Sequence, residues 1–361
     1  DTVTSLLTAS ADSSDSNRLA LALVSTVINT ANCTSAPNCN SLNRQVCDVI
    51  KHTCGDCLYG FVGESGARNT MCLKNTTSAI SSVNGIEKIC INDCHEKGVC
   101  SLLDVNTFES VGTCKSNDAS CVAICVCDVG YRGDECAQSD AALEASIAVR
   151  DTLYSNLVTL TKSDNPTPET VESWVSTLTA LNQNPMEISD TAVNSILDIA
   201  NATLTAVTEP PMLYTDMLGV LNAVDTALTT SLESQLSHRD SKSETLLNQS
   251  LHLVNTFSGL VVDQMVVGEE PFVHLTDSYK TSVSLAIINE TESLVTSVPR
   301  SALQVLFDVP ASSISVSTSS NSTSLGVSMT EVLIAHYGES GENFAANPLS
   351  FEITTDVAVN A

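Results

Sequence analysis

No cysteine occurs after Cys136, although fourteen lie between Cys33 and Cys136. Cations are scarce: 15 Lys and Arg stand against 42 Asp and Glu, a formal net charge of −27. That deficit excludes nucleic acid as a partner, because phosphate binding needs a positive surface. An anionic membrane surface is an equally poor match. No run of about 18 apolar residues exists, so no segment reads as a membrane-spanning helix. Catalytic signatures are missing too: there is no Gly-rich phosphate loop, no Gly-x-Ser-x-Gly elbow and no His-Glu-x-x-His pair. The six histidines (52, 95, 238, 252, 274, 336) are scattered. We therefore expect no enzyme activity, no catalytic, cofactor-binding or metal-ligating residues, and no cofactor. The acidic charge reads as solubility through mutual repulsion. Calcium is the one ion such a composition could favour, but no segment concentrates carboxylates at ligand spacing.

What is present is an even count of cysteines, enough for seven bridges. Thiol buffers keep cytosolic cysteines reduced, so the block places the chain outside the cell or in a secretory compartment. Six Asn-x-Ser/Thr motifs, at Asn32, Asn75, Asn201, Asn248, Asn289 and Asn321, fit that compartment as N-glycosylation acceptors. Asp1 begins directly in an amphipathic pattern, and Ala361 lies in strand-like sequence. We expect a processed or partial piece of a longer secreted or membrane-anchored protein.

The length, 361 residues, argues for more than one domain. Residues 1–31 read as one or two helices, with Leu19, Leu21, Leu23, Val24, Val27 and Ile28 forming an apolar stripe and Ser13, Ser14 and Asp15 as candidate N-caps. This segment has little of its own to pack against and is expected to dock on a neighbour. Residues 32–85 hold Cys33, Cys39, Cys47, Cys54, Cys57 and Cys72 among turns and small residues, and their pairing stays open. Cys54-x-x-Cys57 could be a redox pair or, with His52 or His95, half a zinc site. The disulfide-rich setting favours structural bridges, and oxidised cysteines do not ligate zinc.

Residues 86–137 carry Cys90-x3-Cys94-x5-Cys100, a long loop, then Cys125-x-Cys127-x8-Cys136 with a Gly130-Tyr131-Arg132-Gly133 turn. This spacing resembles the EGF module. The resemblance implies bridges Cys90–Cys100, Cys94–Cys125 and Cys127–Cys136, and leaves Cys114 and Cys121 to pair in the enlarged loop. The stretch from Cys54 to Gly66 resembles the closing half of an EGF or laminin-type repeat. Calcium-binding EGF modules carry an acidic cluster before the first cysteine. Here Glu87 is present, but Lys88 opposes it.

Beyond Cys136 the texture changes. Residues 138–266 read as five amphipathic helices forming a bundle. The first is expected near 139–162. Thr167 caps the second with Pro168 at N1, and Val171, Trp174, Val175 and Leu178 form its stripe. Val193, Ile196, Leu197, Ala200 and Leu204 form the third. Met217, Leu221, Val224, Leu228 and Leu232 form the fourth. Leu247, Leu251, Val254, Val261 and Met265 form the fifth. Residues 267–361 alternate with period two at Val283, Leu285 and Ile287, at Leu303, Val305, Phe307 and Val309, at Ile314 and Val316, at Val327 and Met329, and at Phe351 and Ile353. That pattern predicts an antiparallel β-sandwich. The expected fold class is multidomain α+β: EGF-like modules, a helical bundle, then the sandwich.

The order of elements over about residues 138–361 is similar to the GAIN domain of polycystin-like and adhesion-receptor ectodomains, where a helical subdomain precedes a β-sandwich. That family closes with a Cys- and Trp-bearing proteolysis motif. Here no cysteine follows Cys136, and the single tryptophan is Trp174. His274-Leu275-Thr276 matches the family's cleavage tripeptide but opens the sandwich instead of closing it, so we read it as coincidental. From the whole sequence we expect a non-enzymatic extracellular structural or adhesive glycoprotein of the cell surface, a building block of a filament such as a flagellar hair. Its partners would be copies of itself or other extracellular proteins. The alternative is a fragment of a polycystin- or adhesion-receptor-like ectodomain.

Overall fold

The computed structural model describes residues 14–31, 33–34, 36–48, 52–63, 67–75, 87–104, 107, 109–115, 118, 120–133, 135–206, 212–234, 241–276, 278–288, 293–297, 313–317, 323–334 and 345–355. The predicted strand through Leu303 and Val309 lies outside these residues. The chain divides into two compact units: Thr26–Ala148, and Asp1–Ser25 together with Val149–Ala361. The overall class is α+β, with a disulfide-rich N-terminal region, six helices and small antiparallel sheets among the described residues. No described helix is long and apolar enough to cross a membrane.

Among its described residues, the cysteine-rich unit has little regular structure. Strands β1 (Phe61–Val62) and β2 (Leu73–Lys74) form one small ribbon. Strands β3 (Gly98–Asp104) and β4 (Cys121–Cys127) form the longest hairpin, with Cys100 opposite Cys125 and Val99 opposite Val126. Strands β5 (Tyr131–Arg132) and β6 (Gln138–Ser139) close the unit. The β5 turn needs glycine at both flanks, because Gly130 and Gly133 have φ of 93° and 92°.

The other unit is built by side-chain packing. Helix α1 (Ser14–Asn29) buries Leu21 and Val24. Its Arg18 bonds Asp164 at 2.6 Å and also pairs with Asp15. Helix α2 spans Asp140–Ser163. Helix α3 (Pro168–Leu181) begins at a capping box in which Thr167 and Thr170 satisfy each other's backbone N–H groups. Its core face is Val171, Trp174, Val175, Leu178 and Leu181. Helix α4 (Asp190–Ala206) buries Val193, Ile196, Leu197, Ile199, Ala200 and Leu204. Helix α5 (Leu218–Ser234) crosses α3 closely at Gly219, where an added Cβ would lie 2.2 Å from Thr179 Oγ1.

Helix α6 (Ser241–Gln264) buries Leu246, Leu253, Val254, Phe257, Val261 and Val262, leaving Leu247 and Leu251 only half-buried. Its core face is thus rotated from the stripe read in the sequence, because the helix also covers a sheet. That sheet has four antiparallel strands in the order β12 (Ala345–Thr355), β11 (Thr323–Ile334), β8 (Tyr279–Ile288) and β7 (Phe272–Leu275). Gly326 on β11 admits α6, since a Cβ there would lie 2.4 Å from Val262 Cγ1. A separate ribbon pairs β9 (Ser293–Ser297) with β10 (Ser313–Ser317).

Candidate functional site

The most heavily constructed region is the disulfide framework. Cys33 pairs with Cys47, Cys39 with Cys54 and Cys57 with Cys72. Cys54 and Cys57 thus belong to different bridges and form neither a redox pair nor thiolate ligands. Cys90 pairs with Cys100, Cys94 with Cys125 and Cys127 with Cys136, while Cys114–Cys121 closes the enlarged loop. No described cysteine is free. Each bridge removes freedom from the unfolded chain, worth about 3 kcal/mol for a loop of ~15 residues. The pattern fits a disulfide-rich EGF-like module, and seven bridges are consistent with a secreted or extracellular protein. The sulfurs of Cys90, Cys94 and Cys125 lie within 4.8 Å of one another. All three are spent in disulfides, which ligate metals poorly.

A buried arginine completes the first half of this framework. Arg44 is fully buried. Its guanidinium donates to Thr70 O at 2.6 Å, to Gly55 O at 3.0 Å and to Thr70 Oγ1 at 3.2 Å. One side chain so ties two loops that have almost no apolar core. In the second half, Lys88 Nζ donates to the carbonyls of Asp118 at 2.6 Å and Cys121 at 2.7 Å. The backbone of Glu87 forms an isolated antiparallel β-bridge with Lys115. Lys97 sits 5.5 Å from the Tyr131 ring centroid. Gly98 packs so tightly that a Cβ would meet Val126 O at 2.6 Å and Cys136 Sγ at 2.7 Å.

The same half carries backbone strain. Asp93, Cys94, His95 and Glu96 have φ between 50° and 55°. A left-handed run costs about 1–2 kcal/mol per non-glycine residue. Cys94–Cys125 anchors the run from within, and Cys90–Cys100 fixes the chain that enters it.

The β3–β4 hairpin has two unlike faces, because side chains alternate along each strand. One carries Cys100 and Cys125. The other carries Val99, Ser101, Leu103, Val122, Ile124 and Val126. On that second face Val99 is 66% exposed, Val126 53% and Ile124 39%. A second apolar row lies on α1, where Leu19, Leu23 and Val27 recur every four residues and are all exposed. Neither the outward face of the hairpin nor Arg44 had a local signature in the sequence.

In the helical unit, α2 grips the α3–α4 connection through successive polar groups. Arg150 Nε donates to Glu187 Oε2 at 2.7 Å, and another guanidinium nitrogen donates to Leu181 O at 2.8 Å. Ser189 Oγ donates to Asp151 Oδ1 at 2.6 Å and accepts from Ala192 N at 3.0 Å. Tyr154 Oη donates to Asn182 at 2.8 Å, and burial raises its pKa. The β7–β8 turn is pinned to α5: Asp225 accepts from Ser278 N at 3.0 Å and from Ser278 Oγ at 2.5 Å, while Tyr279 Oη donates to Leu221 O at 2.9 Å. His274 stacks on Phe272, and burial pulls its pKa below the usual histidine range although Asp225 opposes this. Thr276, the last residue of the His274-Leu275-Thr276 triplet, spends its hydroxyl on the turn, donating to Tyr279 O at 2.8 Å and accepting from Tyr279 N at 3.0 Å.

Of the glycosylation candidates, Asn75, Asn201 and Asn248 are exposed. Asn32, Asn289 and Asn321 lie outside the described residues. No protein-family model matches this chain, and no curated protein matches it.

Proposed function

We propose that this chain is a non-enzymatic extracellular structural or adhesive glycoprotein, a building block of a cell-surface assembly or filament. The observation that carries the reading is the aliphatic outer face of β3–β4, held rigid by disulfides and presented to solvent. Exposed apolar patches of this kind mark interaction surfaces. The exposed row on α1 supports the same reading. Copies of the chain, or other extracellular proteins, would cover these faces. Neither a cofactor nor a metal is part of the proposal. Sugars at the exposed asparagines would shield the remaining surface.

Sedimentation of purified chain over a range of concentrations tests this. Concentration-dependent assembly that Val99→Asp and Val126→Asp together abolish is the expected outcome. A strict monomer at high concentration, with dispersed particles by electron microscopy, overturns it.

A second reading, the ectodomain of a polycystin- or adhesion-type receptor, draws on a different observation. The helices and the following sheet belong to one compact unit, with α6 lying against the sheet. That fits a GAIN-like pairing of helical and β subdomains. The β-sandwich belongs to this reading too. Lys280, Ser282, Ser284, Val327 and Met329 lie on the sheet face away from α6 and are nonetheless buried. A Cys- and Trp-bearing motif followed by apolar spans in the gene beyond Ala361 would favour the receptor. Further modules without a span would favour the filament.

A further inference from the structure

Two of the exposed asparagines lie within helices. Asn201-Ala202-Thr203 is on α4 and Asn248-Gln249-Ser250 is on α6. On an α-helix, residues two apart point about 200° from each other. An amphipathic helix that shows such an asparagine to solvent therefore turns the hydroxyl of the third residue inward. Both helices do this. Asn201 and Asn248 are exposed, while Thr203 and Ser250 are 0% exposed. Thr203 Oγ1 is occupied, donating to Ile199 O at 2.7 Å. Ser250 Oγ is buried with no hydrogen-bond partner among the described residues. A buried hydroxyl without a partner is destabilising relative to a methyl group. The serine therefore contributes nothing to the folded helix that alanine would not.

Sugar transfer requires both ends of the motif. The asparagine amide and the hydroxyl two residues on must reach a single enzyme site. The folded helices hold them on opposite faces, one in water and one in the core. We propose that Asn201 and Asn248 accept N-linked sugar only before α4 and α6 fold. The modification is made on the nascent chain, and helix formation then seals the motif. In the transfer, the amide nitrogen bonds C1 of the first sugar of a lipid-diphosphate-linked oligosaccharide. The C1–O bond to the diphosphate breaks, the lipid diphosphate leaves with the electron pair, and an amide proton passes to the enzyme's base. This inference rests on the glycoprotein reading above.

The test uses full-length, sugar-free chain made in an oxidising bacterial compartment. Folded chain is incubated with purified oligosaccharyltransferase and lipid-linked donor, beside a Trp174→Asp, Leu221→Asp double variant whose core is broken. Site occupancy is read by mass spectrometry. At least tenfold higher occupancy of Asn201 and Asn248 in the broken-core chain is expected. Equal transfer to the folded chain overturns the order of events. No transfer to either chain, with a control acceptor peptide modified normally, overturns glycosylation at these asparagines instead. On sugar-free protein, Ser250→Ala is expected to raise Tm by about 2–4 °C, and in a glycosylating host it leaves Asn248 bare while Ser250→Thr does not. A lower Tm for Ser250→Ala would show that the hydroxyl serves the fold and would contradict the proposal.

Discussion

Between Cys33 and Cys136 the chain is held by seven disulfides and a buried arginine; from Val149 onward it is held by aliphatic side chains. The two regions tolerate different things. The stapled region carries four consecutive left-handed residues and leaves valines and an isoleucine in water. Its bridges act on the unfolded chain and ask little of the folded surface. The packed region has regular helices with buried faces, because its stability depends on apolar area removed from water. Covalent restraint thus frees a surface for other uses, whereas a packed core spends its apolar residues on itself.

Four perturbations would break or sharpen this contrast. The largest effect is expected in the packed unit. Arg150→Met removes the guanidinium that bonds buried Glu187 at 2.7 Å and should cost about 3–5 kcal/mol, seen as a lower denaturation midpoint. Arg150→Met with Glu187→Leu should recover most of that. Next comes Cys94→Ala with Cys125→Ala, expected to cost the disulfide-rich region about 2–5 kcal/mol. Hydrogen exchange should then rise across Gly98–Cys136 while α3–α5 keep their protection. Third, Gly98→Ala should cost about 1–3 kcal/mol, because the new Cβ meets a backbone carbonyl and a disulfide sulfur, neither of which can move aside. Gly326→Ala should cost less, since it meets only the Val262 side chain. Equal costs at the two glycines would erase this part of the contrast.

The smallest effect is a pH dependence at His274. Its folded pKa lies below the unfolded value, so the unfolded chain takes up the proton first. Stability from this group is present above the ordinary histidine pKa of about 6.5 and is lost as pH falls toward the folded value, where the loss levels off. Protection factors of amides 274–276, 278 and 279, corrected for the intrinsic exchange rate at each pH, should fall between neutral and mildly acidic pH, and His274→Gln should flatten that slope.

Much of this architecture is legible residue by residue. The spacing Cys125-x-Cys127-x8-Cys136 marks a disulfide-rich stretch that fits an EGF-like pattern, and Gly130 and Gly133 mark its turn, because both occupy positive φ. Thr167-Pro168 marks the start of α3 with its capping box. The pairing of Cys33 to Cys72 is not legible, since spacing alone admits many connectivities. The face of α6 is read only in part, with Val254, Val261 and Met265 buried but Leu247 and Leu251 half-buried, because periodicity reports that a helix is amphipathic but not that it serves a bundle and a sheet together. Arg44, Arg150 with Glu187, and Asp225 with Ser278 are contacts between distant residues, for which a single sequence holds no local signal. The outward valines of β3 and β4 are hidden for another reason. An alternating strand reads as half-buried, and only the disulfides on the other face show which side is covered.

The central claim is that one unit stands on its bridges and the other on its core. Hydrogen exchange read by mass spectrometry, before and after full reduction with a phosphine at neutral pH, tests it most directly. The account predicts that protection vanishes between Cys33 and Cys136 and persists in α3, α4, α5 and β8. Loss of protection in both regions, or survival of the β3–β4 hairpin after reduction, would contradict it.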